Sequence, residues 1–246
     1  MKDDHKGLAS MKNLRYKNWA DFRDFLSGYT AQPRERRSQL VFRGHSDSNW
    51  RLKTTLDRVF PFTNDQDREQ YFRGLLSEFE KEAIGLLSPQ TSLPEGKALE
   101  LLARHHGVPS PILDWTESSY IASFFAFEDV SPQPRNHVAI WMLDLGLFSP
   151  IGSGIDLVDE MGLLRFNRRA LRQRGLFTRV LTVRRSVETI MSDALTRILL
   201  PSAIKETVLA DLDEMGINAA MLFSDLDGAA RTVVYRLKGW RARTDG

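Results

Sequence analysis

The sequence predicts an α+β fold, a mixed and mainly antiparallel sheet core surrounded by helices, and three features predict it. Apolar residues at three-to-four spacing crowd the first half of the chain; the run His137–Asp144 is apolar almost throughout; and the second half mixes strands with helices without a regular βαβ alternation. Residues 1–14 read as a polar lead-in and 15–240 as one globular domain. The first helix is expected from Lys17 to Leu26, where Trp19, Phe22, Phe25 and Leu26 share a face. After a basic linker, Gln39–Gly44 reads as a short strand that delivers Arg43 at its end, and Trp50–Leu52 as a second extended piece. The longest periodic stretch, 66–88, and the shorter 95–105 are amphipathic helices. The second of them stops at Gly107, which can take the left-handed C-terminal position. Pro109 and Pro111 then hold the chain extended.

A helix apolar nearly all round begins near Tyr120, with Asp114, Thr116 or Ser118 able to cap it. His137–Asp144 is a strand, 145–166 irregular, and Asn167 caps a short helix Arg168–Arg174 closed by Gly175. Strands are expected at Leu176–Val183, Thr196–Leu200 and Ile217–Phe223. A helix opens at Pro201-Ser202 and ends at Gly216, and a last helix runs from the loop Ser224–Gly228 to about Lys238.

With 246 residues and 42% apolar content the chain can bury a substantial core. It has no cysteine, which rules out disulfides and thiolate zinc sites. No apolar stretch approaches the length of a membrane span, so the expectation is a cytoplasmic protein without a membrane partner. Net charge is only +2, but arginines cluster: Arg34, Arg36 and Arg37 early, then Arg165, Arg168, Arg169, Arg172, Arg174, Arg179, Arg184 and Arg185. Their guanidinium forks suit phosphate, so Arg168, Arg169, Arg172 and Arg174 are candidate nucleic-acid contacts, against the plainer reading of a solvated basic face. Walker, dinucleotide-binding Gly-rich, Gly-x-Ser-x-Gly and His-Glu-x-x-His patterns are all missing. His105 and His106 with Asp114 suggest a metal-assisted hydrolase, but adjacent helical histidines point about 100° apart and chelate poorly. No metal is expected; His106 reads as a helix-end histidine.

Several separated stretches fit one pattern. Phe42-Arg43-Gly44 is followed by Trp50-Arg51-Leu52. Arg104-His105-His106-Gly107-Val108-Pro109 leads into Leu113-Asp114-Trp115-Thr116-Glu117-Ser118 and Ala122–Ala126. Gln173-Arg174-Gly175-Leu176-Phe177-Thr178 and Ala219–Gly228 follow. Together they resemble the FRG domain family, over residues 15–238. The chain departs from that family's pattern at Pro109-Ser110-Pro111, where Pro-Thr-Arg is usual, and at Ser224, where proline is common. The order of motifs is also similar to that of NAD-using ADP-ribosyltransferases, and this implies an ADP-ribosyltransferase-like fold.

The second resemblance implies that NAD is a substrate, with Arg43 and Gly44 binding it, Thr116 and Ser118 lining the site, and Trp50 or Trp115 stacking on a ring; Gln173 belongs to the same pocket. A carboxylate would stabilise the positive charge that develops on C1′, and Asp114, Asp225 and Asp227 are its candidates, Asp114 and Asp227 leading. Asp225 and Asp227 also read as turn and cap residues, and Asp114 as an ordinary N-cap. The expected function is therefore a toxin or antiphage effector that ADP-ribosylates a macromolecule, RNA or DNA rather than protein, with an antitoxin or chaperone as possible partner. The alternative is a nucleotide- or nucleic-acid-binding module without turnover.

Overall fold

In the computed structural model, residues 11–33, 35, 39–86, 92–129, 136–158 and 172–244 are described. The described strands are β1 (Lys12–Arg15), β2 (Leu40–His45), β3 (Ile112–Thr116), β4 (His137–Asp144), β5 (Ile155–Val158), β6 (Gly175–Val180) and β7 (Leu195–Pro201). They form one sheet in the order β1-β7-β4-β2-β3-β6-β5, antiparallel except for the parallel pair β1·β7. The described α-helices are α1 (Trp19–Thr30), α2 (Thr55–Val59), α3 (Asp65–Ile84), α4 (Lys97–His105), α5 (Ser119–Phe127), α6 (Val187–Ile190), α7 (Lys205–Glu214), α8 (Ala219–Phe223) and α9 (Leu226–Thr244).

The sheet is buried on both faces, which is why β4 is apolar at nearly every position. Val138, Ile140 and Met142 enter one core cluster, with Trp19, Phe22 and Leu26 of α1, Ile121 and Phe124 of α5, and Val208 and Leu212 of α7. Ala139, Trp141 and Leu143 enter the opposite cluster, with Trp115, Leu199, Val187 and Met191. A smaller cluster joins Leu101 of α4 to Ile112, Val158 and Phe177.

Several expectations give way. The lead-in joins the fold before residue 14: Met11 is buried and β1 extends the sheet beside β7. Trp50–Leu52 is irregular, because the chain turns there through the Trp50 N–H bond to the Asp47 carbonyl. Asp114 and Thr116 are strand residues, and Ser118 is the cap of α5, its hydroxyl accepting from the Ile121 N–H. A strand, β5, occupies part of the stretch read as irregular, and Ile217–Phe223 is a turn followed by the helix α8, capped by Asn218. Short apolar runs do not separate helix from strand by periodicity, and the cap decided this one. Arg34, Arg36, Arg37, Arg165, Arg168, Arg169 and the proposed cap Asn167 lie outside the described residues.

Candidate functional site

β2 and β3 are registered through a single pair, Phe42 with Thr116, whereas β2 pairs with β4 along its whole length. Beyond that pair the two strands part and the sheet forks. A cleft of about 630 Å³ opens at the fork, lined by Arg43, Gly44 and His45 of β2, Asp114 and Thr116 of β3, and Trp50, Thr55, Arg58, Arg104 and Gln173 around them. Phe125, Phe177 and Phe223 contribute apolar wall.

Arg43 spans the fork. Its Nη1 donates to the Asp114 carbonyl at 2.7 Å, a backbone group that a continuous ladder would have paired, and lies 3.7 Å from the Asp114 carboxylate. Arg104, on the last turn of α4, grips that carboxylate with both prongs: Nε to Oδ1 at 2.6 Å and Nη2 to Oδ2. The remaining Nη1 of Arg104 donates to the hydroxyls of Thr55 and Ser110. α4 is stopped where Arg104 needs it. Gly107 sits at φ +93°, its N–H bonding the Arg104 carbonyl while the Val108 N–H bonds that of Ala103, a Schellman closure. Asp114 lies deep among these groups, yet 43% of its side-chain surface is open to the cleft.

The electrostatics follow from burial, from two arginines meeting one carboxylate, and from a third arginine near both of them. Burial lowers the Arg43 pKa to about 10, with the attraction of Asp114 partly opposing and the repulsion of Arg104 and Arg58 adding to it. It stays cationic at neutral pH. Burial also works to raise Asp114, but Arg104 and then Arg43 outweigh it and hold the carboxyl below its ordinary range. His45 is pushed down to about 3, first by burial and then by the charges of Arg43 and Arg58, so it is neutral. Arg43 Nε lies 3.1 Å from its Nε2, and the Trp141 indole N–H 3.1 Å from its Nδ1. A neutral imidazole accepts at one nitrogen only, so one of these two contacts is a hydrogen bond at a time.

The sequence-predicted residues separate into three groups. Arg43, Gly44, Trp50, Asp114, Thr116 and Gln173 are brought to one cleft. Trp115 reaches its wall but is 2% exposed in the core, its indole N–H donating to Thr178, so its ring faces are not free to stack on a ligand. Ser118 is committed to its cap. Asp227 is exposed in the first turn of α9 and is not part of the cleft wall, and Asp225 accepts from the Gly228 N–H as a turn residue.

The described arginines of the cluster do not share one basic face. Arg179 is paired with Glu69 and Glu100, Arg184 with Asp65, and Arg172 reaches the Met221 carbonyl. Arg174 is exposed, at φ +48°, in the turn before β6. That turn serves the cleft edge: the Gln173 carbonyl accepts from the Thr116 hydroxyl at 2.6 Å, and the Arg174 carbonyl from the Glu117 N–H. Gly44 has a packing reason for being glycine. A Cβ there would stand 2.0 Å from the Ala122 carbonyl oxygen and 2.6 Å from the Ala126 nitrogen, because α5 crosses directly over it. Sequence reasoning missed Arg58, Arg104, His45 and the rim carboxylate Asp129 as site residues. Their chain positions carry no periodic signal; only the fold gathers them.

The FRG domain model matches residues 38–135, which takes in β2, β3, α5 and the helices between, and so both sides of the fork. Those residues of the chain are an FRG domain. The match ends before β4, so the motifs at 173–178 and 219–228 lie outside it. No curated protein and no solved structure matches the chain.

Proposed function

We propose that the cleft takes NAD and that this FRG domain protein is an ADP-ribosyltransferase-like toxin or antiphage-defence effector, modifying RNA or DNA in preference to protein. The observation that carries the reading is the pairing, in one cleft, of arginines with a carboxylate kept ionised and partly open to the ligand space. Cleaving the nicotinamide–ribose bond sends the electron pair out with nicotinamide and leaves positive charge on C1′. The acceptor's lone pair then forms the new bond and its proton passes to solvent. A carboxylate facing C1′ lowers that barrier, and cations offset the diphosphate. Because its arginines hold Asp114 below the ordinary range, it suits electrostatic stabilisation better than proton abstraction. Trp50, half exposed at the cleft, offers an indole face for a ring.

The test is transfer of label from adenylate-labelled NAD into separated RNA, DNA and protein pools. Arg43→Ala and Asp114→Asn should each lower transfer on the order of 100-fold or more, while Asp227→Ala transfers as wild type does. Label in the RNA or DNA pool supports the acceptor class. Folded wild type that neither transfers label nor releases nicotinamide with every pool supplied would overturn the reading and leave a binding module without turnover. The bidentate grip of Arg104 on Asp114 is the feature that favours that alternative.

A further inference from the structure

Among the three arginines of the cleft, two are engaged by protein groups. Arg43 donates to the Asp114 carbonyl and lies against His45, and Arg104 donates to Asp114, Thr55 and Ser110. Arg58 differs. It lines the same cleft, its guanidinium carbon lies 5.9 Å from the centre of the Trp50 ring, and its side chain makes no ion pair or hydrogen bond to any described residue. It is also held in place from behind. The preceding Asp57 accepts from Arg68 Nε and Nη2 at 2.6 and 2.8 Å, and Arg68 in turn donates to the Val180 carbonyl at 2.6 Å. The Thr54 hydroxyl accepts from the Asp57 N–H as the cap of α2. This short helix is pinned by its acid, so the arginine beside it is presented on a fixed mount.

Arg58 is close enough to Arg43 and His45 for its charge to depress both, and to Arg104 for its own pKa to be lowered, after burial, by that neighbour. The cleft thus gathers three cations against Asp114 and the exposed rim residue Asp129. Arg58 is the cation whose hydrogen-bonding fork is still available. Its neighbour Trp50 adds an aromatic face that is 49% exposed.

We propose that Arg58, stacked beside Trp50, is the residue that receives the diphosphate of the ligand, while Arg43 and Arg104 hold the fork and the carboxylate in place. A guanidinium fork binds two phosphate oxygens at once, and an unpaired one does so without first breaking an internal ion pair. Arg43, by contrast, would have to surrender its bond to a backbone carbonyl. This assignment rests on the nucleotide reading of the cleft for its ligand class, but it shifts the principal anion contact from strand β2 to helix α2.

Calorimetric titration of inorganic pyrophosphate, ADP-ribose and NAD into wild type, Arg58→Ala and Arg58→Lys tests it, with thermal melts to verify that the variants fold. Arg58→Ala should weaken all three ligands by about tenfold or more, and Arg58→Lys should recover only part of the loss because the charge returns without the fork. Ligands binding Arg58→Ala as tightly as wild type would overturn the assignment and leave the NAD reading standing. Pyrophosphate and ADP-ribose that bind through Arg58, with NAD not binding at all, would uphold the assignment and sink the NAD reading. Wild type that binds none of the three overturns both.

Discussion

Single residues at the fork carry two kinds of constraint, steric and electrostatic. Gly44 is the steric case. Any side chain at this position drives into the backbone of α5, which cannot retreat without opening the core around Ile121, Phe124 and Phe127. Gly44→Ala should therefore destabilise by about 3 kcal/mol or more, or prevent folding. Urea denaturation of the purified variant checks this; a variant of wild-type stability that merely loses ligand would restore the binding role to this glycine. His45 is the electrostatic case. Its folded pKa near 3 is below its ordinary value of 6.5, so between those values the unfolded chain holds the extra proton. Its contribution is full above about pH 6.5 and is lost as pH falls toward 3, at up to about 1.4 kcal/mol per pH unit. Stability measured from pH 5 to 6.5, where carboxylates titrate little, should fall more steeply for wild type than for His45→Gln. Equal slopes would show that burial of this imidazole is not what the fold defends.

Among the elements that shape the cleft, α2 is fixed by buried polar anchors rather than by apolar area. α2 has five residues and only Leu56 of them is buried, so its position depends on Asp57 and Arg68. Arg68→Ala leaves Asp57 largely buried without its cation and the Val180 carbonyl without a donor, and should cost about 3–5 kcal/mol. The exposed pair of Arg184 with Asp65 should cost no more than about 1 kcal/mol on Arg184→Ala, and denaturant midpoints of the two variants make the comparison. Comparable losses in both would remove the argument that α2 is pinned from behind. The same distinction explains what was legible in the sequence. Amphipathic helices such as α3 and the fully covered strand β4 announce themselves, since periodicity and continuous apolarity are local properties. α8 did not, because Ala219–Phe223 is a short apolar run that either structure could accommodate, and only Asn218 at its start marks a helix. Ser224, after α8, lies at φ +57°, a conformation closed to the ring of proline, so the departure from the family's usual residue goes with this turn. Of the site, Arg43 and Asp114 were legible through their motifs. Arg58 was not, and Arg104 stood in a motif without a role, because α2 and the end of α4 are brought together by Ser110, whose carbonyl and amide bond Leu56 and Thr55.

At the scale of the molecule, the sheet is two half-sheets joined at a narrow seam. β1, β7, β4 and β2 form one, paired along their lengths; β3, β6 and β5 form the other, tied to α3 and α4 through Arg68, Arg179, Glu69 and Glu100. Across the seam run the Phe42–Thr116 pair and the Arg43 bond to the Asp114 carbonyl. A ladder this short couples the halves only weakly through backbone bonds, since each missing bond lowers the free energy of a local opening relative to global unfolding. Native-state hydrogen exchange read by mass spectrometry should find β4 and β7 exchanging by global unfolding, with β3, β5 and β6 at a smaller free energy. Arg43→Ala orphans the Asp114 carbonyl and should lower the second group by a further ~1–3 kcal/mol while moving β4 and β7 less. A common exchange free energy for all strands, shifting uniformly in the variant, would mean that the sheet behaves as one unit and that the fork is a rigid notch. Separation of the two groups would mean that the residue spanning the cleft is also the clasp between the halves, so that binding at the cleft and the opening of the second half-sheet are thermodynamically linked.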